Sequence, residues 1–316
     1  MYSSAELKEL SVDVIKEDID KIYLAYANEN LGGLENKSQE FLNLYERMKE
    51  NSFELIQHLI KELSQSDFKP VDYELNIGND IPYYTLNLST GQTITIRGSV
   101  DRVDVMEKNG NKYIRVVDYK TGPKEFSLCD IIYGLNLQML IYLHAIEKNG
   151  TKRYGDNIIP AGVLYMPSKP STITVEVGAT EDKIDKKIEE SFKMNGIVLN
   201  DITVVEGMDK TGKGTFIPAS VKSGLPYSTK SLATLEEIGF LFNKIDQIIT
   251  KMAENLYNGD VSAVPIKGKY QNGCQYCQYS SVCNYKEKES KYRFADNLKA
   301  KDVLANLKEE FNKEVD

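Results

Sequence analysis

A chain of 316 residues can bury a sizeable core, and its 41% apolar and 27% charged content is that of a globular protein rather than a disordered or fibrous one. It contains no run of about eighteen apolar residues, and its opening, MYSSAELKEL, lacks the basic region and apolar stretch of a secretory leader; no membrane span is expected and a cytoplasmic address is the default. A net charge of −8 argues against a generic basic nucleic-acid coat, but not against an enzyme that touches phosphates through divalent cations held in an acidic pocket.

Taken in chain order, Leu7, Leu10, Val14, Ile15, Ile19 and Ile22 predict an amphipathic helix over residues 5–28, which Gly32-Gly33 ends. The same rhythm, from Phe41 to Leu63, predicts a longer helix from Ser38 to Gln65. The character changes at Pro70. VDYELNIG, YYTLNLS, TITIRGSVDRVDVME and KYIRVVDYKTG are β-rich stretches separated by Gly-Asn, Thr-Gly-Gln and Asn-Gly turns, which predict an antiparallel meander. DIIYGLNLQMLIYLHAIEKNG then reads as one helix stopped at Asn149-Gly150, and PAGVLYMPS as a strand. Beyond it come a helix from Glu181 to Met194, a loop MDKTGKGTFIP, a long helix from Leu232 to about Tyr257, and a charged helical tail. This order places the chain in the α/β or α+β class, a sheet flanked by helices.

Three features carry chemistry. In VVDYKTG, Asp118 and Lys120 are two apart on a strand and share a face, while Tyr119 points the other way. In RGSVDRVDV, Asp101 joins them if the preceding strand lies in suitable register. In GLNLQMLIYL, Gln138 and Tyr142 are four apart and share a helix face. Two carboxylates supply hard oxygen ligands for Mg²⁺, and a lysine beside them can orient a water and offset charge on a phosphorane-like transition state. Each feature alone has a plainer reading: a solvated D-x-K strand, a packed Gln–Tyr pair, a surface ladder of Asp101, Arg102 and Asp104. Their conjunction in this order favours the chemical one.

Cys274, Cys277 and Cys283 form C-x2-C-x5-C, spacing that suits an iron–sulfur cluster or zinc, with one thiolate short of the usual four. A redox pair or unrelated cysteines are the alternatives. Cys129 is expected to be a small, partly buried thiol, and His58 and His144, inside apolar helices, to serve packing. KTGKGT at Lys210 to Thr215 lacks the spacing and strand–loop–helix context of a phosphate loop.

The segments GSVDRVDV, RVVDYKTG and YGLNLQMLIYL together resemble the RecB-type branch of the PD-(D/E)xK nucleases. With IIPAGVLYMPS and CQYCQYSSVCNY, the stretch from about Phe68 to Tyr285 is similar to the C-terminal nuclease region of the AddB family of helicase–nuclease proteins. The resemblance implies a restriction-endonuclease-like core, a mixed sheet flanked by helices, with extra N-terminal helices and a cysteine-containing helical tail. It implies an N-terminal helical segment at 1–69, a nuclease core at 70–175, an insertion and long helix packed on the core at 176–258, and a cysteine segment with a C-terminal helix at 259–316. Asp101 and Asp118 would be Mg²⁺ ligands with Glu74 as a further acidic candidate, Lys120 the catalytic lysine, and Gln138 and Tyr142 the motif on the following helix. The partners implied are a single DNA strand from an unwound duplex and the companion helicase–nuclease protein of the complex, in double-strand break repair.

In the family the tail cysteines join one far upstream to hold a 4Fe–4S cluster; that cysteine has no match here, so the chain reads as an excised fragment whose cluster lacks its fourth ligand. Two alternatives stand beside this reading: a stand-alone, Cas4-like iron–sulfur nuclease, and a non-catalytic metal-stapled module for DNA binding or docking to a helicase partner.

Overall fold

The computed structural model describes residues 6, 9–122, 124–170, 173–176, 178–268, 272–275, 277–283, 285–286 and 290–313. Two long helices open it, α1 (Val12–Asn30) and α2 (Gln39–Ser64). Each is entered through a serine whose hydroxyl accepts a first-turn amide, Ser11 from Val14 at 3.4 Å and Ser38 from Phe41 at 3.2 Å. Such a cap satisfies a donor that the helix itself leaves unpaired. The Ser11 cap sets the start of α1 at Val12; of the predicted stretch before it, residues 5, 7 and 8 lie outside the described residues.

The chain continues through β1 (Lys69–Ile77), β2 (Tyr84–Asn87), β3 (Thr93–Ile96), β4 (Gly98–Lys108) and β5 (Asn111–Lys120). The predicted meander is corrected here, because β2 and β3 pair only with each other while β1, β4 and β5 form consecutive antiparallel ladders. Side-chain burial draws the β2–β3 hairpin out of the sheet: Tyr84 and Leu88 are buried, and the Tyr84 hydroxyl donates to Asp246 on a later helix. The β4–β5 turn is Asn109-Gly110, both at positive φ (54° and 77°), the geometry a two-residue hairpin needs.

After β5 the sequence suggests one helix, but there are two, α3 (Leu128–Ile132) and α4 (Gln138–Asn149). Gly134 and Asn136 between them adopt φ of +79° and +54°, which a continuing right-handed helix cannot accommodate. The short helix α5 (Thr151–Tyr154) leads to β6 (Ile158–Pro167), which pairs parallel with β5. This crossover through helices is what a parallel neighbour requires.

The helix expected to end at Met194 stops earlier, as α6 (Glu181–Ser191), and Asn195 opens β7 (Asn195–Leu199), a strand that the periodicity did not reveal. Then come α7 (Ile202–Met208), a small hairpin β8 (Ser220–Lys222) and β9 (Leu225–Tyr227), and β10 (Leu232–Ala233). The long helix α8 (Leu235–Tyr257) begins at a Thr234–Glu237 capping box, so Leu232 and Ala233 belong to the sheet instead. A parallel pair, β11 (Ile266–Gly268) and β12 (Arg293–Ala295), precedes the tail helix α9 (Ala300–Lys313).

The result is a six-stranded mixed sheet in the order β1-β4-β5-β6-β7-β10, flanked by helices. This is the restriction-endonuclease-like α/β architecture expected, with N-terminal helices added and a cysteine-bearing helical tail. Among the described residues no helix is long and apolar enough to cross a membrane.

One face of β4 and β5 carries a buried ionic network. Arg102, Asp104 and Arg115 are buried there together with Glu62 from α2. Arg115 Nη2 donates to Glu62 Oε1 at 2.6 Å and its Nε to Asp104 Oδ2 at 2.8 Å, while Arg102 Nη2 donates to Asp104 Oδ2 at 2.9 Å. Against burial, which opposes its charge, the nearby Asp104, Tyr119 and Glu62 hold the Arg102 guanidinium well above its ordinary pKa. Removing one acid leaves guanidinium charge uncompensated in a dry interior. Glu62→Ala is expected to cost about 3–5 kcal/mol of unfolding free energy, several times the loss from removing an exposed acid such as Glu46. Urea denaturation of both variants checks this, and equal losses would refute it.

Buried His144 lies stacked on Phe242 at 4.2 Å, with Nε2 3.3 Å from Asp246 Oδ2 and Nδ1 3.5 Å from Glu147 Oε2. Burial lowers its pKa, but the two carboxylates outweigh burial and the net shift is upward. A raised folded-state pKa adds stability that is complete below the unfolded value of roughly 6.5 and is lost as pH rises through the folded value. The stability gap between wild type and Asp246→Asn should therefore be larger at acid pH, by about 1–2 kcal/mol. Thermal or urea unfolding across the pH range measures it, and a gap independent of pH would contradict the arrangement.

Candidate active site

The ladder between β4 and β5 ends at Arg102 opposite Val117, while β5 continues beside β6 as far as Lys120. At this end the Asp101 carboxylate takes over as acceptor: its Oδ2 receives the Tyr119 backbone N–H at 2.9 Å. Strand alternation sends Tyr119 to the opposite face, where its hydroxyl accepts from Arg102 Nη1 at 2.9 Å. Asp118 and Lys120 project together, and the Lys120 ammonium forms an ion pair with Asp118 Oδ2.

Asp118 is only 4% exposed. Burial raises its carboxyl above the usual range; Lys120 pulls it down, Asp101 adds to the rise, and Lys124 lowers it. Asp118 Oδ2 is buried, and its partner is the Lys120 ammonium. A carboxylate held by one cation still has lone pairs to offer. With a second carboxylate beside it and a lysine to balance charge, it fits a hard divalent cation, whose remaining positions suit water.

Gln138 opens α4, and its Nε2 donates to the Tyr142 hydroxyl at 3.1 Å. The tyrosine is buried against the start of β4, where Gly98 makes room: a Cβ there would lie 2.4 Å from the Tyr142 hydroxyl. The Gln138–Tyr142 pair is thereby set against the strand that carries Asp101.

Glu74 lies across the β1–β4 ladder from Asp101, between the paired positions Tyr73 and Leu75. It is exposed, at φ +53°, and accepts from Ser99 Oγ at 2.9 Å. Among the described residues no three His, Cys, Asp or Glu side chains gather into a metal-holding group. The same finding covers the tail: Cys274 is half-buried and Cys277 and Cys283 are exposed, and they do not converge. Cys129 is buried, its thiol donating to the Asp296 carbonyl at 2.8 Å and accepting from Leu298 N–H at 3.4 Å, which fastens the approach to α9.

The structure adds residues that sequence reasoning passed over. Tyr165 on β6 lies opposite Asp118, and its phenol is pushed up to about 12 by burial, with Asp118 and Asp130 adding to the rise. Lys120 and Lys124 lie 5.6 and 6.0 Å from its ring centroid. Tyr165 sits in an apolar strand and reads as core. Lys124 stands outside the D-x-K spacing, and only the fold brings it back to the site.

A mixed sheet flanked by helices, with aspartates and a lysine at one strand end, is the architecture of a nuclease class, and comparison with known proteins agrees on the family. The chain belongs to the PD-(D/E)XK nuclease superfamily, which it matches over residues 5–284. It is 32% identical over 314 residues to the B subunit of the ATP-dependent helicase/deoxyribonuclease of Clostridium acetobutylicum, covering 98% of this chain and 27% of that protein. It is 34% identical over 308 residues to the protein of the same name from Clostridium botulinum, covering 93% of this chain and 26% of that one. The chain thus spans about a quarter of the length of these curated relatives.

If the three charges share one site, Asp101→Asn should bring the Asp118 carboxyl down toward the ordinary range and Lys120→Met should raise it further. Carbon-13 NMR titration of aspartate-labelled protein reads both shifts. Identical Asp118 titration in all three proteins would show that the groups are not coupled.

Proposed function

We propose that the chain is a Mg²⁺-dependent deoxyribonuclease domain, an exonuclease acting on one strand of unwound DNA within a helicase–nuclease complex of double-strand break repair and recombination. The observation that carries this reading is the buried carboxylate of Asp118, paired with Lys120 and within the field of Asp101. The relatives' name supports the rest: a B subunit of a helicase/deoxyribonuclease implies a companion helicase–nuclease protein as partner and DNA as substrate.

Asp101 and Asp118 are the residues that would hold the metal. Once bound, Mg²⁺ would polarise the phosphate and acidify a water. Asp101 is held ready by the Tyr119 N–H, so its carboxylate is oriented before any ligand arrives. The Lys120 ammonium can orient the attacking water and offset negative charge on the phosphoryl oxygens in the transition state. Tyr142, whose oxygen accepts from Gln138, keeps its own proton to donate toward a phosphate oxygen or the water. As placed, the three tail thiols do not fit an iron–sulfur cluster, and no step here uses one.

With Mg²⁺ and end-labelled single-stranded DNA, Asp118→Ala should lose activity by on the order of a hundredfold or more. Mn²⁺ binding, followed by calorimetry, should weaken in parallel. Equal digestion by wild type and variant would sink this assignment. Intact DNA binding with no Mn²⁺ affinity at Asp101 and Asp118 would instead favour a non-catalytic binding module.

A further inference from the structure

The segment linking β5 to α3 returns a second lysine to the site, and three observations distinguish it from an ordinary surface lysine. First, its backbone is pinned independently of its side chain. Asn195, the first residue of β7, donates from Nδ2 to the Lys124 carbonyl at 2.8 Å and accepts at Oδ1 from the Phe126 N–H at 2.9 Å. Asn195 lies opposite Tyr165 in the sheet, and Tyr165 lies opposite Asp118. The pinning therefore sits in the same row of the sheet as the metal-ligand candidate.

Second, the Lys124 side chain is directed. Its ammonium donates to Asn136 Oδ1, and the Asn136 amide in turn donates to Asp130 Oδ2 at 2.7 Å. Asn136 holds φ +54° in the break between α3 and α4, so the interruption of the helix also serves to present this amide. Third, the partner is neutral. Among the described residues no carboxylate lies within ion-pair distance of Lys124, whereas Lys120 is paired with Asp118. An ammonium has three donors and a full charge, and a single amide oxygen uses one donor and none of the charge. Its field nevertheless reaches Asp118, and it sits 6.0 Å from the Tyr165 ring that Lys120 also flanks.

We propose that Lys124 is a substrate-binding residue of this site, taking a backbone phosphate of the DNA strand while Lys120 serves the reacting group. The assignment rests on the nuclease reading above. The Asn195 bonds and the packing of Phe126 on Tyr165 hold the loop without the ammonium, so the charge of Lys124 is left for an anion. A phosphodiester strand is the anion that two carboxylates with a bound divalent cation would bring to this position.

The experiment uses the full chain and a fluorescent oligothymidylate, with binding measured in Ca²⁺ and cleavage in Mg²⁺. Lys124→Gln should weaken binding and raise KM by on the order of tenfold, with the loss falling on KM rather than kcat. It should also flatten the dependence of log K on log salt by about 0.7, one single-strand phosphate contact, and Lys124→Arg should restore both. A merely structural lysine would lower thermal stability and leave the salt slope alone; that result, or wild-type KM and slope, overturns the proposal. Asp118→Asn separates the two readings. If Asp118→Asn abolishes cleavage and Lys124→Gln leaves the slope unchanged, only the Lys124 assignment fails. If wild type and Asp118→Asn cleave alike, the nuclease reading fails and takes the Lys124 assignment with it.

Discussion

The site depends on a buried quartet of charges on the far side of the strands that carry it. Arg102 and Arg115 meet Asp104 and Glu62 in the interior, two cations against two anions. Burying four charges is costly, and replacing such a cluster with apolar side chains is often neutral or better for stability. What the quartet supplies here is orientation. Glu62 comes from α2 and the other three from adjacent strands, so the N-terminal helix is fixed to β4 and β5 by geometry as well as by burial. Strand alternation makes the quartet and the site two sides of one segment. In the run Asp101-Arg102-Val103-Asp104 the first acid faces the chemistry, and Arg102 and Asp104 face the lock. Tyr119 links the sides, because its phenol is held by Arg102 while its backbone N–H holds Asp101.

A second constraint is the interrupted helix after β5. A continuous helix from residue 130 would carry Gln138 along its middle. The positive φ angles at Gly134 and Asn136 restart the helix instead, so Gln138 is the first residue of α4 and sits one turn from Tyr142. At Gly134 the positive φ itself favours glycine, and the nearest atom to an added Cβ would be the mobile end of Met252 on α8. The break positions both the Gln138–Tyr142 pair and the Asn136 amide.

Much of this was legible in the residues, and the misses have physical causes. Caps and hairpin turns are local, so Ser38, Asn109-Gly110 and the strands on either side of the turn could be read directly. The shared face of Asp118 and Lys120 follows from a period of two. The strand β7 was missed because NGIVL follows a helix without a strong turn signal and is too short to show alternation. The excursion of β2 and β3 depends on Tyr84 meeting Asp246 across 162 positions, which no local pattern encodes. Glu74 lies in a strand of suitable character, and what its sequence did not reveal is its positive φ and its bond to Ser99, across the β1–β4 ladder from Asp101.

The acidic balance of the chain is reconciled with an anionic substrate at this same strand end. Far from the site, surface charges are screened within about 10 Å at moderate salt, so the overall −8 has little influence on a phosphate already at the sheet. Locally the balance differs. Asp101 and Asp118 are opposed by Lys120 and Lys124, with Asp130 one amide beyond Lys124. On the proposed reading a bound divalent ion would shift this balance toward positive, so the site would favour a phosphodiester only when loaded. Burial of Asp118 makes this coupling strong, because the low-dielectric surroundings that raise its carboxyl also magnify the pull of any cation placed against it.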